Sequence, residues 1–154
     1  MDESYGENIP VDQTHTVSSI FDHYHKTYQI KIKSVFDITN SDQYYDINEW
    51  KKVGARPFKF KCPGKEVPPQ NWTKMVLDKM NKEYENLKQE DGTSSAIAVH
   101  CTHGLNRTGY VAISWLMENG ILNDVDLAIK TFEEHRGEKM EREYLTENLV
   151  KSYG

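Results

Sequence analysis

Hydrophobic and polar positions along the chain follow two different periods, and the switches between them mark the elements. From Tyr28 to Phe36 the residues alternate, Ile30 and Ile32 against Lys31 and Lys33, before ending in Val35-Phe36. A period of two is that of a strand with one face buried, here ending near Asp37. Upstream, Ser18–Tyr28 reads as a short helix with Ile20, Phe21 and Tyr24 on one side, behind an irregular segment of residues 1–15. Asn40-Ser41-Asp42 is turn chemistry, and Ile47–Lys52 fits a helical turn. Phe58–Lys61 alternates again and is closed by Cys62-Pro63-Gly64. Pro68-Pro69 then opens a helix, because a first helical turn does not need proline's missing N–H. In it Trp72, Met75, Val76, Met80, Tyr84 and Leu87 recur every three or four residues, giving one apolar face. After the polar stretch Asp91–Ser95, the short apolar run Ala96–Val99 fits a strand buried on both faces. Three helices follow: Thr108–Glu118, stopped by Asn119-Gly120; Asp124–Arg136, with Val125, Ala128, Ile129 and Phe132 inward; and Glu141–Ser152, with Tyr144, Leu145 and Leu149 inward. Strands alternating with helices, then a helical carboxyl-terminal half, predict an α/β domain with one central sheet.

Composition narrows what such a domain can be. The 154 residues make one compact domain, and the 37% of hydrophobic residues is enough for a core. A net charge of −5 excludes a global positive field that draws the protein to nucleic acid or membranes, so an anionic ligand has to be held locally. Two cysteines, Cys62 and Cys101, do not make a secreted disulfide framework. The acidic start, Met1 to Pro10, lacks a signal-peptide pattern, and the apolar run Tyr110–Met117 is far short of the roughly 20 residues of a membrane span. These features predict an intracellular protein, in nucleus, cytoplasm or both, acting as a monomer with no membrane partner.

One segment concentrates the chemistry: His100-Cys101-Thr102-His103-Gly104-Leu105-Asn106-Arg107-Thr108-Gly109, between the last strand and a helix. Ligands of open α/β sheets bind at the carboxyl ends of strands, and a loop entering a helix offers unpaired N–H groups and the positive end of the helix dipole. Such a site suits a phosphate oxygen or a thiolate. A free cysteine titrates near 8.5, and helix amino termini with cationic neighbours lower this to roughly 3.5–7.5, which makes Cys101 a candidate nucleophile. Arg107 has a planar fork for two phosphoryl oxygens. Thr108 can donate to the cysteine sulfur and so improve it as a leaving group. Gly104 and Gly109 let backbone approach a ligand or the sheet, and Asn106 and His100 can shape the loop through its own backbone.

Cys-x5-Arg-Thr with these glycines resembles the phosphate-binding loop of the cysteine-dependent phosphatases. The full loop, His-Cys-Thr-His-Gly-Leu-Asn-Arg-Thr-Gly-Tyr, is similar to that of their RNA 5′-triphosphatase branch: capping-enzyme triphosphatase domains, the baculovirus RNA phosphatase and the RNA/RNP-complex-associated phosphatase. Three further stretches agree: Phe36 to Asp46, Phe60-Lys61-Cys62-Pro63-Gly64 with Pro68-Pro69, and His135-Arg136-Gly137 through Glu141-Arg142-Glu143-Tyr144-Leu145. The likeness runs from Val35 to the carboxyl terminus, and the first 30 residues match poorly. It implies a single-domain, dual-specificity-like cysteine-phosphatase fold over residues 16–154, with a mostly parallel sheet flanked by helices. It also implies a hydrolase that needs neither cofactor nor metal and removes the γ-phosphate, or γ and β, from RNA 5′ ends. Cys101 is then the nucleophile, with Arg107 and the amides of residues 102–106 (Thr102, His103, Gly104, Leu105 and Asn106) around the phosphoryl group. Lys59, Lys61, Arg136 and Arg142 are candidates for the remaining phosphates, Tyr44 or Tyr45 for stacking on the first base, and capping or RNA-processing machinery for partners.

An absence points the same way. Protein-directed cysteine phosphatases carry an aspartate general acid about 30 residues before the cysteine, whereas Cys62–Asn71 contains Glu66 and no aspartate. Asp78 falls on the amphipathic helix, on its exposed face. A tyrosyl oxygen leaves with a pKa near 10 and needs that proton; a terminal phosphate, with its second pKa near 6, needs little help. An ester substrate forfeits the ~10²–10⁴-fold that a placed acid supplies. The alternatives are a protein dual-specificity phosphatase and a non-catalytic binder of 5′-phosphorylated RNA. Bland readings cover several other residues: His23 and His25 as a solvated pair, Lys51-Lys52 as a solvated face, and Cys62 as a bystander thiol rather than a disulfide partner of Cys101.

Overall fold

The computed structural model describes residues 23, 26–27, 30–39, 48–62, 66–89, 94–101 and 105–154. The helix expected over Ser18–Tyr28 lies mostly outside them, as do the turn at Asn40-Ser41-Asp42 and the residues Tyr44, Tyr45, Thr102, His103 and Gly104. The described elements, in chain order, are β1 (Ile30–Asp37), α1 (Glu49–Lys52), β2 (Arg56–Lys59), α2 (Gln70–Gln89), β3 (Ser94–His100), α3 (Asn106–Glu118), α4 (Val125–Arg136) and α5 (Glu143–Tyr153). The three strands form one parallel sheet in the order β2-β1-β3.

Central strand β1 explains why its alternation stops at Val35-Phe36. Ile32 pairs with Ala96 but Ser34 with Ile97, so Lys33 is an extra residue, a β-bulge. A bulge shifts the phase of every following side chain by one face. Val35 therefore joins Ile32 on the face covered by Trp50 of α1, and Phe36 joins Val76, Leu77 and Met80 of α2 on the other. Strand β2 is set two residues earlier than expected and contains Pro57, which an edge strand tolerates because its N–H side needs no partner.

The apolar face of α2 is rotated from the one the spacing predicts. Trp72, Val76, Leu77, Met80 and Glu83 are buried, whereas Met75 is 51% exposed and Tyr84 is 37% exposed. Glu83 is buried because it joins three elements. It accepts hydrogen bonds from Ser34 Oγ of β1 at 2.6 Å, Arg56 Nε of β2 at 2.8 Å and Asn86 Nδ2 at 3.2 Å. Burial presses its pKa upward, but these bonds and the Arg56 charge outweigh it and hold the carboxyl below its ordinary value. Strand β3 is half-buried rather than buried on both faces. Its Ile97 and Val99 open, with Met80, Tyr84, Leu87 and Trp115, into an apolar groove of about 460 Å³.

The carboxyl-terminal helices form a second core around α3. Tyr110 and Ile113 pack with Val125 and Ala128 of α4, Met140, and Leu145 and Leu149 of α5. Asp124 caps α4 by accepting from the amides of Asp126 (3.0 Å) and Leu127 (3.2 Å), and Gly137 ends it at φ 74° in the left-handed region. Among the described residues, no helix is long and apolar enough to cross a membrane.

Candidate active site

The carboxyl ends of the three strands are tied together just beyond the regular pairing. The amide of Ile38 donates to the carbonyl of His100 at 2.9 Å, and that of Phe60 to the carbonyl of Asp37 at 3.0 Å. Cys101 therefore emerges from a fixed point of the sheet. Its side chain is buried in the same cluster as Phe36, Ile38, Cys62 and Trp72. The chain re-enters regular structure at Leu105, the amino-terminal cap of α3, which has no side-chain capping bond. The first amides of α3 are thus not consumed by a cap, as an anion-binding helix start requires.

From that helix Thr108 Oγ1 donates to Cys101 Sγ at 3.1 Å, in a buried contact. Arg107 Nη1 donates to the carbonyl of Cys62 at 3.4 Å, linking the helix start to the chain that leaves β2. Burial pushes the Cys62 thiol up to about 11, against the pull of Arg107, so it stays a neutral thiol at physiological pH. Neither cysteine is joined in a disulfide.

His100 is held neutral. Burial pushes the imidazole down to about 4, opposed by the Asp37 carboxylate and assisted by the Lys59 charge, and the ring also bonds to the Cys101 backbone. Asp37, which sequence reasoning did not single out, is 4% exposed at the end of β1 and pairs in register with His100. Its Oδ1 accepts from the Thr39 amide at 3.0 Å and from the Thr39 hydroxyl, and Lys59 Nζ lies 3.2 Å from Oδ2 and 2.7 Å from Thr39 Oγ1. Lys59 thus pairs with a buried acidic side chain at the carboxyl end of β1, a different position from the substrate-facing one suggested by sequence. An aspartate followed two residues later by a threonine is a local turn signal, but nothing local tells that Lys59 meets it.

Among the described residues, Asn106 bonds a segment distant in sequence. Its Oδ1 accepts from the amides of Glu141 (2.8 Å) and Arg142 (3.0 Å), docking the chain between α4 and α5 onto the start of α3. Arg142, exposed and at the amino-terminal cap of α5, is thereby brought to the start of α3. Arg136 is exposed in the last turn of α4, and Lys61 is exposed one residue before Cys62. Gly109 serves a role different from the expected approach to ligand or sheet: a Cβ there meets Phe132 Cε1 at 2.7 Å and Met140 Sδ at 2.9 Å. Glu66 and Asp78 are both exposed.

A parallel sheet whose strand β3 leads directly into a cysteine, with arginine and threonine at the start of the next helix, defines a cysteine-based phosphatase, a hydrolase of dual-specificity-like type. Residues 17–153 match the family described as dual specificity phosphatase, catalytic domain, and the chain belongs to that family. It is similar to an "RNA/RNP complex-1-interacting phosphatase homolog" of Caenorhabditis elegans, 37% identical over 99% of this chain and 64% of that protein. A "Tyrosine-protein phosphatase" of Autographa californica nuclear polyhedrosis virus is 35% identical over 77% of the chain and 67% of its own length. The "mRNA-capping enzyme" of Mus musculus is 29% identical over 88% of the chain and 22% of the mouse protein. The chain therefore spans about two thirds of the first two relatives and less than a quarter of the third. Among solved structures, a protein tyrosine phosphatase of Leishmania major superposes with a TM-score of 0.69 at 16% identity, covering 100% of this chain and 83% of that one.

Proposed function

We propose that this domain is an RNA 5′-triphosphatase working through a phosphocysteine. The Cys101 thiolate attacks the γ-phosphorus in line while the β-phosphate oxygen departs; Arg107 and the loop and helix amides stabilise the charge on the equatorial oxygens. Water then attacks the phosphocysteine, and Thr108 Oγ1 donates to the sulfur as the S–P bond breaks and the thiolate returns. The 3.1 Å contact between Thr108 Oγ1 and Cys101 Sγ carries this reading. Neutral His100 shapes the loop and leaves acid–base work to the substrate's own good leaving group. Arg142, docked at the start of α3 by Asn106, reaches the outer phosphates, with Arg136 and Lys61 as further cations.

The choice of RNA over phosphoprotein rests on chemistry. Cys62–Asn71 carries no aspartate, and its glutamate, Glu66, is exposed. A polyphosphate leaving group tolerates that lack, and a tyrosyl ester does not. Relatives named for mRNA capping and for RNA/RNP complexes support the same substrate, and imply RNA-processing partners in nucleus or cytoplasm. A relative named as a tyrosine-protein phosphatase supports the second reading, a protein phosphatase.

Phosphate release from a short 5′-triphosphorylated RNA in EDTA, beside a phosphotyrosine peptide and with Cys101→Ser as control, separates the two. Release from RNA that the substitution abolishes, with little from peptide, is the expected result. A preference for the peptide overturns the RNA reading, and RNA binding without turnover reduces the domain to a binder.

A further inference from the structure

Beside the site, α2 presents a groove of about 540 Å³ whose lining includes Phe60, Lys74, Met75, Asp78, Lys79 and Lys82. Residues 71, 74, 75, 78 and 82 stand at steps of three and four, so they form one stripe down the helix. Three of the groove's side chains are cationic and one is anionic, a local balance of +2 on a chain whose net charge is −5. Among the described residues no carboxylate lies within ion-pairing distance of Lys74, Lys79 or Lys82. Lys79 Nζ instead sits 4.7 Å over the ring of Phe58. Met75, 51% exposed, is an apolar surface between the cations.

The Phe60 end of the groove borders the chain that leads to Cys62 and the start of α3. Phe60 hydrogen-bonds Asp37 at the carboxyl end of the sheet, and two residues on, the Cys62 carbonyl accepts from Arg107. From Lys74 to Lys82 the stripe runs ~12 Å along the helix axis, the span of a few nucleotides. Spaced cations with apolar side chains between them suit a single strand with charged backbone and flat bases, since stacking accepts any base.

We propose that this groove carries the first nucleotides of a single-stranded RNA whose 5′ end lies on the Cys101 loop. Lys74, Lys79 and Lys82 hold backbone phosphates, and Met75 and Phe60 receive base faces. The proposal extends the RNA reading of the site, and binding tests it independently of turnover.

A 12-nucleotide RNA with a 5′-hydroxyl, which offers the loop no phosphate, is titrated by fluorescence anisotropy over a range of salt concentrations. The proteins are the unaltered chain, Cys101→Ser and the triple variant Lys74→Gln, Lys79→Gln, Lys82→Gln. With about 0.7 unit of log–log salt slope per phosphate contact, the triple variant should lose about 2 units of slope and bind at least tenfold more weakly at low salt. Cys101→Ser should bind like the unaltered chain. In turnover, the triple variant should raise KM for a triphosphorylated 12-mer while hydrolysing a nucleoside triphosphate, which has no RNA body, within twofold of normal. An unchanged salt slope overturns the groove, as does an equal loss on both substrates or lysine-dependent binding of an acidic peptide in place of RNA. Lysine-dependent RNA binding by a chain that hydrolyses only phosphotyrosine keeps the groove and removes the triphosphatase reading; RNA turnover with an unchanged slope does the reverse.

Discussion

Asn106 shows how one side chain can set the geometry of a site without touching the reacting atoms. One carboxamide oxygen holds two backbone amides of another segment, those of Glu141 and Arg142. Each such bond contributes about 0.5–1.5 kcal/mol net, so Asn106→Ala should cost on the order of 1–3 kcal/mol in placing Arg142. If Arg142 reads the outer phosphates, the loss should appear as a roughly tenfold rise in KM for triphosphorylated RNA with kcat little changed. Asn106→Asp, which keeps an acceptor oxygen there, should recover most of it. A fall in kcat at unchanged KM would place Asn106 in the chemistry of the loop instead. At this scale the sequence is readable where a contact joins the two ends of one short loop, as with Cys101 and Thr108. It is silent where the partner is distant: nothing in the residues around Asn106 points 35 positions on to Glu141, or from Asp37 to Lys59.

Elements were legible in kind and less so in placement. The helical periods after Pro69, Thr108 and Asp124 reproduce α2, α3 and α4 within about two residues, because local capping and spacing set those limits. The face of α2 was misread because hydrophobicity alone puts Met75 inward, while Glu83, buried by its bonds to Ser34 and Arg56, carries the inward face past Met80. The bulge at Lys33 was hidden for a similar reason, since a bulge depends on the neighbouring strand. Gly109 gives the clearest test of packing at this scale. It lies where α3 meets Phe132 of α4 and Met140, and an added Cβ comes within 2.7 Å of the Phe132 ring. Overpacking of this kind costs about 1–3 kcal/mol, and at ~2–4 °C per kcal/mol Gly109→Ala should lower the melting temperature by several degrees. The double variant Gly109→Ala, Phe132→Leu should recover part of the loss by giving the methyl group room. A melting temperature unmoved by Gly109→Ala would show that Phe132 and Met140 yield freely.

Over the whole molecule, the sequence supports an α/β domain with a parallel sheet and a cysteine loop at its carboxyl edge, because composition, period and motif all point to that one architecture. What it does not reveal is which buried groups bind the sheet to its helices, and these decide how stability responds to pH. His100 titrates near 4 in the fold against about 6.5 when unfolded. As a base with a depressed pKa it contributes fully above pH 6.5, and its contribution drains away as pH falls toward 4, where the unfolded chain takes up a proton that the folded one refuses. Glu83, with a pKa below the ordinary carboxylate range, acts in the next window down: its stabilisation is present above its unfolded pKa and is lost as pH falls through its folded one. The two losses are therefore sequential. Urea unfolding of the unaltered chain should show stability falling first between pH 6.5 and 4, by at most on the order of 3 kcal/mol for His100 at ~1.4 kcal/mol per unit, and then again below the carboxylate range. His100→Asn should flatten the upper limb and leave the lower one. Glu83→Gln should be less stable at neutral pH, because it loses the charge that Arg56 and Ser34 bind, and should flatten only the lower limb. If His100→Asn leaves the upper limb as steep as before, that histidine titrates no lower in the fold than in the unfolded chain, and the loss between pH 6.5 and 4 belongs to another group.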